Sequence, residues 1–129
     1  MKKITLEMCH AMEQGKEMKK ANTQVEYGST AMYAYLHGNL IATVTTERLY
    51  LRSGGWQSNT TKERLNGLLT WYGLPYAIVQ RNFIWYIMHT KTGKLTPWGK
   101  SYIYGAVEGI KTFKPFVWFN LSTLKHIKP

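Results

Sequence analysis

Aspartate is absent from this chain of 129 residues, and only seven glutamates supply negative charge. Two-metal nucleases and polymerases gather several carboxylates at one point, so metal-dependent nuclease chemistry has little to draw on here. Cys9 is the one cysteine. That excludes an internal disulfide framework and any cysteine-rich zinc site, and it fits a reducing compartment. No apolar run approaches the roughly 18–20 residues a membrane helix needs. Lys2 and Lys3 stand near the amino terminus, but Glu7, His10 and Glu13 interrupt any apolar core of a signal peptide. The four histidines are scattered, with neither His-Glu-x-x-His nor His-x-x-Glu-His spacing. Cys9 and His10 are neighbours in sequence, but a Cys–His nucleophile depends on geometry that adjacency does not supply. The expectation is a cytosolic, non-enzymatic protein with no catalytic residues, no cofactor, no metal and no membrane contact.

What the chain has in excess is positive charge. Seventeen Lys and Arg give a net charge of +10, which favours polyanionic partners such as nucleic acid or an acidic protein surface. The excess is uneven: from residue 76 onward eight bases face one acid, Glu108, against nine bases and six acids before it. A hydrophobic fraction of 44% excludes global disorder, and the length suits one domain over 1–129.

Hydrophobic period divides that domain. Leu6, Met8, Cys9, Ala11 and Met12 form a loose helical stripe, predicting an amino-terminal helix over 4–20 within residues 1–21, with Glu7, Glu13 and Glu17 on its solvent face. From Thr23 the period becomes twofold. The runs 23–27, 31–37, 40–46 and 48–53 read as four strands whose short connections force antiparallel pairing. Leu65, Leu68, Leu69 and Tyr72 make one apolar face of a helix over 61–72, closed by Gly73 and Pro75. Two more strands, 76–80 and 83–88, complete a β-rich core over 22–88. In the basic part, 89–129, residues 115–120 read as a strand, 89–102 as a loop, and 101–113 as either helix or strand. The fold class is α+β: an antiparallel sheet of five to seven strands, with one helix packed on a face and an amino-terminal helix beside it.

The stretch Ser-Gly-Gly-Trp-Gln-Ser-Asn-Thr-Thr-Lys, 53–62, approaches the second helix. Exposed backbone donors at a helix start bind anions, which makes Ser58, Asn59, Thr60, Thr61 and Lys62 a possible anion site. Neither a Walker loop nor a dinucleotide fingerprint is present. Thr60 and Glu63 have the spacing of a capping box, which would consume donors and set Glu63 against an anion. The structural cap is therefore the preferred reading of this stretch.

"YLHGNLIA", "LYLRSGGWQSNTTKERLNGLL" and "IVQRNFIWYI" resemble segments of small uncharacterised proteins of tailed bacteriophages. The matching positions are Leu36, His37, Gly38, Asn39, Ile41, Ala42, Gly55, Trp56, Thr60, Thr61, Arg64, Leu65, Asn66, Gln80, Trp85 and Tyr86, within residues 22–88. The resemblance implies a phage origin, hence action in the host cytoplasm, and a compact fold. It implies no established activity and carries over no catalytic residue.

The basic carboxyl-terminal third is the leading candidate surface. Lys91, Lys94, Lys100, Lys111 and Lys114 interleave with Trp98, Tyr102, Tyr104, Phe113 and Trp118. Lysines on phosphates with rings stacked on bases are the recipe for single-strand binding, so Lys91, Lys94, Trp98, Lys100, Lys111 and Lys114 are the expected nucleic-acid-binding residues. The function expected is a non-enzymatic phage accessory protein that binds nucleic acid. The alternative is an anti-defence or host-takeover inhibitor that binds an acidic host protein or sequesters a small anionic ligand.

Overall fold

A computed structural model describes residues 1–45, 48–55 and 57–98, together with the backbone of strands within 106–120. Helix α1 (Lys3–Gln14) opens the chain. It stops six residues short of the expected end because Gly15 takes a left-handed φ of 68° and its N–H donates to the Ala11 carbonyl. Residues 18–20 instead form strand β1 (Met18–Lys20), the start of a meander through β2 (Thr23–Tyr27), β3 (Met32–Leu36), β4 (Asn39–Val44) and β5 (Arg48–Leu51). Helix α2 (Asn59–Trp71) follows, then β6 (Tyr76–Arg81), β7 (Ile84–His89) and β8 (Leu95–Pro97). The last strands are β9 (Ala106–Val107), β10 (Ile110–Phe113) and β11 (Phe116–Asn120), which gives the ambiguous 101–113 stretch strand character where it is described.

Among the described residues there are two antiparallel sheets where one had been expected. The first runs β1-β2-β3-β4-β5 and continues through β11-β10-β9. The second is β6-β7-β8, whose third strand lies in the segment read as a loop. The α+β class stands, and the β1–β5 meander supplies an antiparallel sheet of five strands within the expected range.

The core lies where the helices meet the sheets. Period two sends Val25, Met32, Ala34, Leu36, Leu49 and Leu51 inward. The Met8–Met12 face of α1 and the Leu65, Leu68, Leu69 and Tyr72 face of α2 close over them. Ile78, Trp85 and Ile87 add the inner face of the second sheet. Leu65, Leu68 and Leu69 are fully buried, as their spacing predicts.

Two features bind α2 to its neighbours. At Gly67 an added Cβ would stand 2.2 Å from Thr5 Cγ2, so only glycine admits this approach of α1. The Asn66 side-chain amide donates to the Ile78 carbonyl at 2.9 Å and its oxygen accepts from the Ile78 N–H at 2.7 Å. Asn66 thus imitates a neighbouring strand and ties β6 to the helix.

Candidate functional site

Ser58, with extended backbone, caps α2: its Oγ accepts from the Thr61 N–H at 3.1 Å. The helix therefore starts two residues before the expected capping box, and the Thr60–Glu63 pair does not close it. Glu63 turns instead toward α1, where its carboxylate accepts from Thr5 Oγ1 and from the Lys2 N–H at 3.3 Å. The cause is Arg64, only 3% exposed. A guanidinium removed from water requires a counter-charge and acceptors. Its Nη1 reaches Glu63 at 2.5 Å and Thr5 at 3.0 Å, and its Nε reaches Thr23 at 3.2 Å. Partial burial alone would raise the Glu63 pKa, but the hydrogen bonds from Thr5, Lys2 and Arg64 overcome that and hold it below the ordinary carboxylate value. The acid expected to repel an anion at the helix start is thus engaged on the side facing α1.

The start of α2 faces the β3–β4 turn. His37 and Gly38 both have positive φ, 51° and 78°, the pattern of a two-residue hairpin turn of right-handed twist. The His37 N–H donates to the Asn22 carbonyl at 2.8 Å. Asn22 Nδ2 lies 3.5 Å from His37 Nε2, and Asn22 Oδ1 lies 3.5 Å from Arg64 Nη2, so the turn connects to the buried arginine. Gly54 and Gly55 follow β5 with left-handed φ values of 71° and 82°. An added Cβ on Gly54 would sit 3.1 Å from Asn39 Cβ. In β4 the pairing passes from Ala42 opposite Ala34 to Leu40 opposite Tyr35. That bulge leaves Ile41 between registers.

Between these elements lies a cavity of about 370 Å³ lined by Leu36, His37, Asn39, Ile41, Ser53, Ser58, Thr60 and Thr61. Leu36 and Ile41 give it an apolar floor, and the other six supply hydroxyl, amide and imidazole groups. Of the anion-site candidates, Ser58, Thr60 and Thr61 line it, whereas Asn59 and Lys62 do not. Sequence reasoning missed His37, Asn39 and Ser53. The Leu-His-Gly-Asn run was the signal that could have found them, since His37 and Asn39 bracket its turn glycine.

Of the basic-third candidates, Lys91, Lys94 and Trp98 are described with their side chains. Lys91 and Lys94 are exposed in the β7–β8 turn, where the His89 ring nitrogen Nδ1 accepts from the Lys91 N–H at 3.3 Å. Trp98 is 5% exposed and packs edge-on against Trp85, with ring centroids 5.5 Å apart. It is a core residue, so its ring is not offered to a base. Lys100 and Lys114 lie outside the described residues, and Lys111 is described only as a backbone position on β10.

Cys9 is buried, and loss of solvent together with the nearby Glu63 charge pushes its thiol up to about 12. Such a thiol does not ionise at neutral pH. Among the described residues no group of three or more His, Cys, Asp or Glu stands together, and no helix is long and apolar enough to cross a membrane.

Residues 1–106 match the family model described as Kyanoviridae Gp96 protein. The chain belongs to that family. The match makes this a phage protein, and it extends beyond the 22–88 resemblance to take in α1 and β8. Every residue lining the cavity falls inside the span shared with the Kyanoviridae Gp96 family. No curated protein and no solved structure matches the chain.

Proposed function

We propose that this phage protein acts by binding, without catalysis, and that the cavity at the start of α2 takes a small anionic ligand bearing a phosphate or a similar group. Sequestering such a ligand in the infected host is the role that follows. One observation carries the reading: the His37–Asn39 turn and the first turn of α2 converge on a single cavity of about 370 Å³. That volume falls within the roughly 300–1,000 Å³ range of small-molecule sites. The amino-terminal end of a helix favours negative charge. Glu63 is occupied elsewhere, and the net charge of +10 attracts anions over distance.

The test is a thermal-shift titration with inorganic phosphate, pyrophosphate, a mononucleotide and a dinucleotide. A true ligand at 100 times its Kd stabilises the fold by about 2.7 kcal/mol, and His37→Ala should abolish the shift. Unchanged melting with all four probes at millimolar concentration would contradict the proposal.

A second reading, nucleic-acid binding by the basic surface, is favoured by the exposure of Lys91 and Lys94. Trp98 takes no part in it as a stacking ring.

A further inference from the structure

Among the described residues the β6–β8 sheet turns one face to the core, and its other face carries exposed Arg81, Ile84, Leu95 and Pro97 around half-buried Val79, Tyr86 and Met88. Ile78, Trp85 and Ile87 point inward. The alternate positions are Ala77, Val79 and Arg81 on β6, Ile84, Tyr86 and Met88 on β7, and Leu95 and Pro97 on β8. Val79, Tyr86 and Pro97 stand abreast, with Tyr86 on the middle strand. The outer row thus holds one charge, Arg81, and is otherwise apolar or aromatic.

The turn that joins β6 to β7 is anomalous. Asn82 and Phe83 both have positive φ, 50° and 64°. A two-residue turn of this kind calls for Asn-Gly, and a bulky side chain in that conformation is strained. Phe83 is nonetheless 89% exposed, beside Ile84 at 49%. Neither turn geometry nor core packing accounts for a phenylalanine there, and strain maintained at an exposed position points to function.

Charge identifies the partner. Arg81 stands at one end of the sheet, with Lys91 and Lys94 at the other, all three exposed. No acid occurs between Glu63 and Glu108. The six residues of β7 separate these basic ends by about 20 Å. An apolar, aromatic surface between cationic ends is complementary to bases joined by phosphates.

We infer that the outward face of the β6–β8 sheet, with Phe83 at its tip, is a platform for single-stranded nucleic acid. Phe83 and Tyr86 stack on bases while Arg81, Lys91 and Lys94 neutralise phosphates. The inference rests on the nucleic-acid reading above and is independent of the α2 cavity.

The test is fluorescence anisotropy of the full chain with labelled single-stranded DNA and RNA oligonucleotides across a salt series. Phe83→Gly is the decisive variant. Glycine suits the turn, so the unfolding midpoint should hold or rise, while affinity should fall roughly fivefold to a hundredfold. Replacing Arg81, Lys91 and Lys94 together by alanine should lower the salt dependence by about three contacts. His37→Ala should leave oligonucleotide binding unchanged. Binding retained in full by Phe83→Gly would overturn this surface and leave nucleic-acid binding itself standing. No binding at low salt would overturn both, as would binding only to anionic lipid vesicles or to an acidic protein.

Discussion

Replacing Arg64 by Met keeps most of the aliphatic stem and removes the guanidinium from the interface of α1, α2 and β2. Four contacts go with it: Thr23 at 3.2 Å, Thr5 at 3.0 Å, Glu63 at 2.5 Å and Asn22 at 3.5 Å. Removing one partner of a buried ion pair costs about 3–5 kcal/mol, mostly because the other charge is left behind. Glu63 keeps Thr5 and the Lys2 N–H, and its side chain is 26% exposed. The lower end of the range, about 3 kcal/mol, therefore applies. With a urea slope of about 1.5–3 kcal/mol per molar for a small protein, the denaturation midpoint should fall by about 1–2 M. Arg64→Lys should recover only part of this, since an ammonium cannot reach Thr5, Thr23 and Glu63 together as the planar fork does. Equilibrium urea unfolding at neutral pH measures both variants. An Arg64→Met midpoint equal to the parent's, at equal slope, would refute the claim that this network holds α1 to α2.

Three further outcomes follow from the packing of α2 against its neighbours. Glu63 titrates below the ordinary carboxylate range in the folded chain, so its stabilisation is present above the unfolded-state pKa and lost as pH falls through the folded value. Glu63→Gln should be less stable than the parent at pH 7, and the difference should shrink as pH falls below the ordinary carboxylate range, read by urea midpoints across an acid pH series. Gly67→Ala would gain about 1 kcal/mol of helix propensity, but its methyl overlaps Thr5 Cγ2, and displacing Thr5 breaks its bonds to Glu63 and Arg64. The net effect should be a lower thermal midpoint, and a higher one would contradict the packing. Asn66→Ala leaves both backbone groups of Ile78 without their partner, at about 1–3 kcal/mol for each group. Faster hydrogen exchange at the Ile78 amide and a lower midpoint should report it together.

Period and punctuation made the elements legible. The twofold runs after Thr23 became the β2–β5 meander, and the leucine face of α2 is buried as its spacing requires. What local pattern lacks is information on which strands share a sheet, so the separation of β6–β8 was not readable. Trp98 illustrates the same limit: a tryptophan among lysines, glycine and proline resembles an exposed ring, yet the pairing of Tyr86 with Pro97 carries it onto Trp85. Three of the eight residues lining the cavity could be found in sequence. The helix start announced itself through Ser58, Thr60 and Thr61, whereas His37 and Asn39 arrive from a hairpin some twenty residues earlier. The capping box failed because Glu63 had a stronger claim on it: a buried arginine at the next position.

The central claim, an anion-binding cavity between the β3–β4 turn and α2, is tested most directly by following backbone amide resonances while a mononucleotide or inorganic phosphate is added. The account predicts saturable shifts at the amides of residues 37–39, 53–55 and 58–61, and their loss in His37→Ala. Shifts at 91–94 alone, with none at any residue lining the cavity, would contradict it, as would no shifts at all.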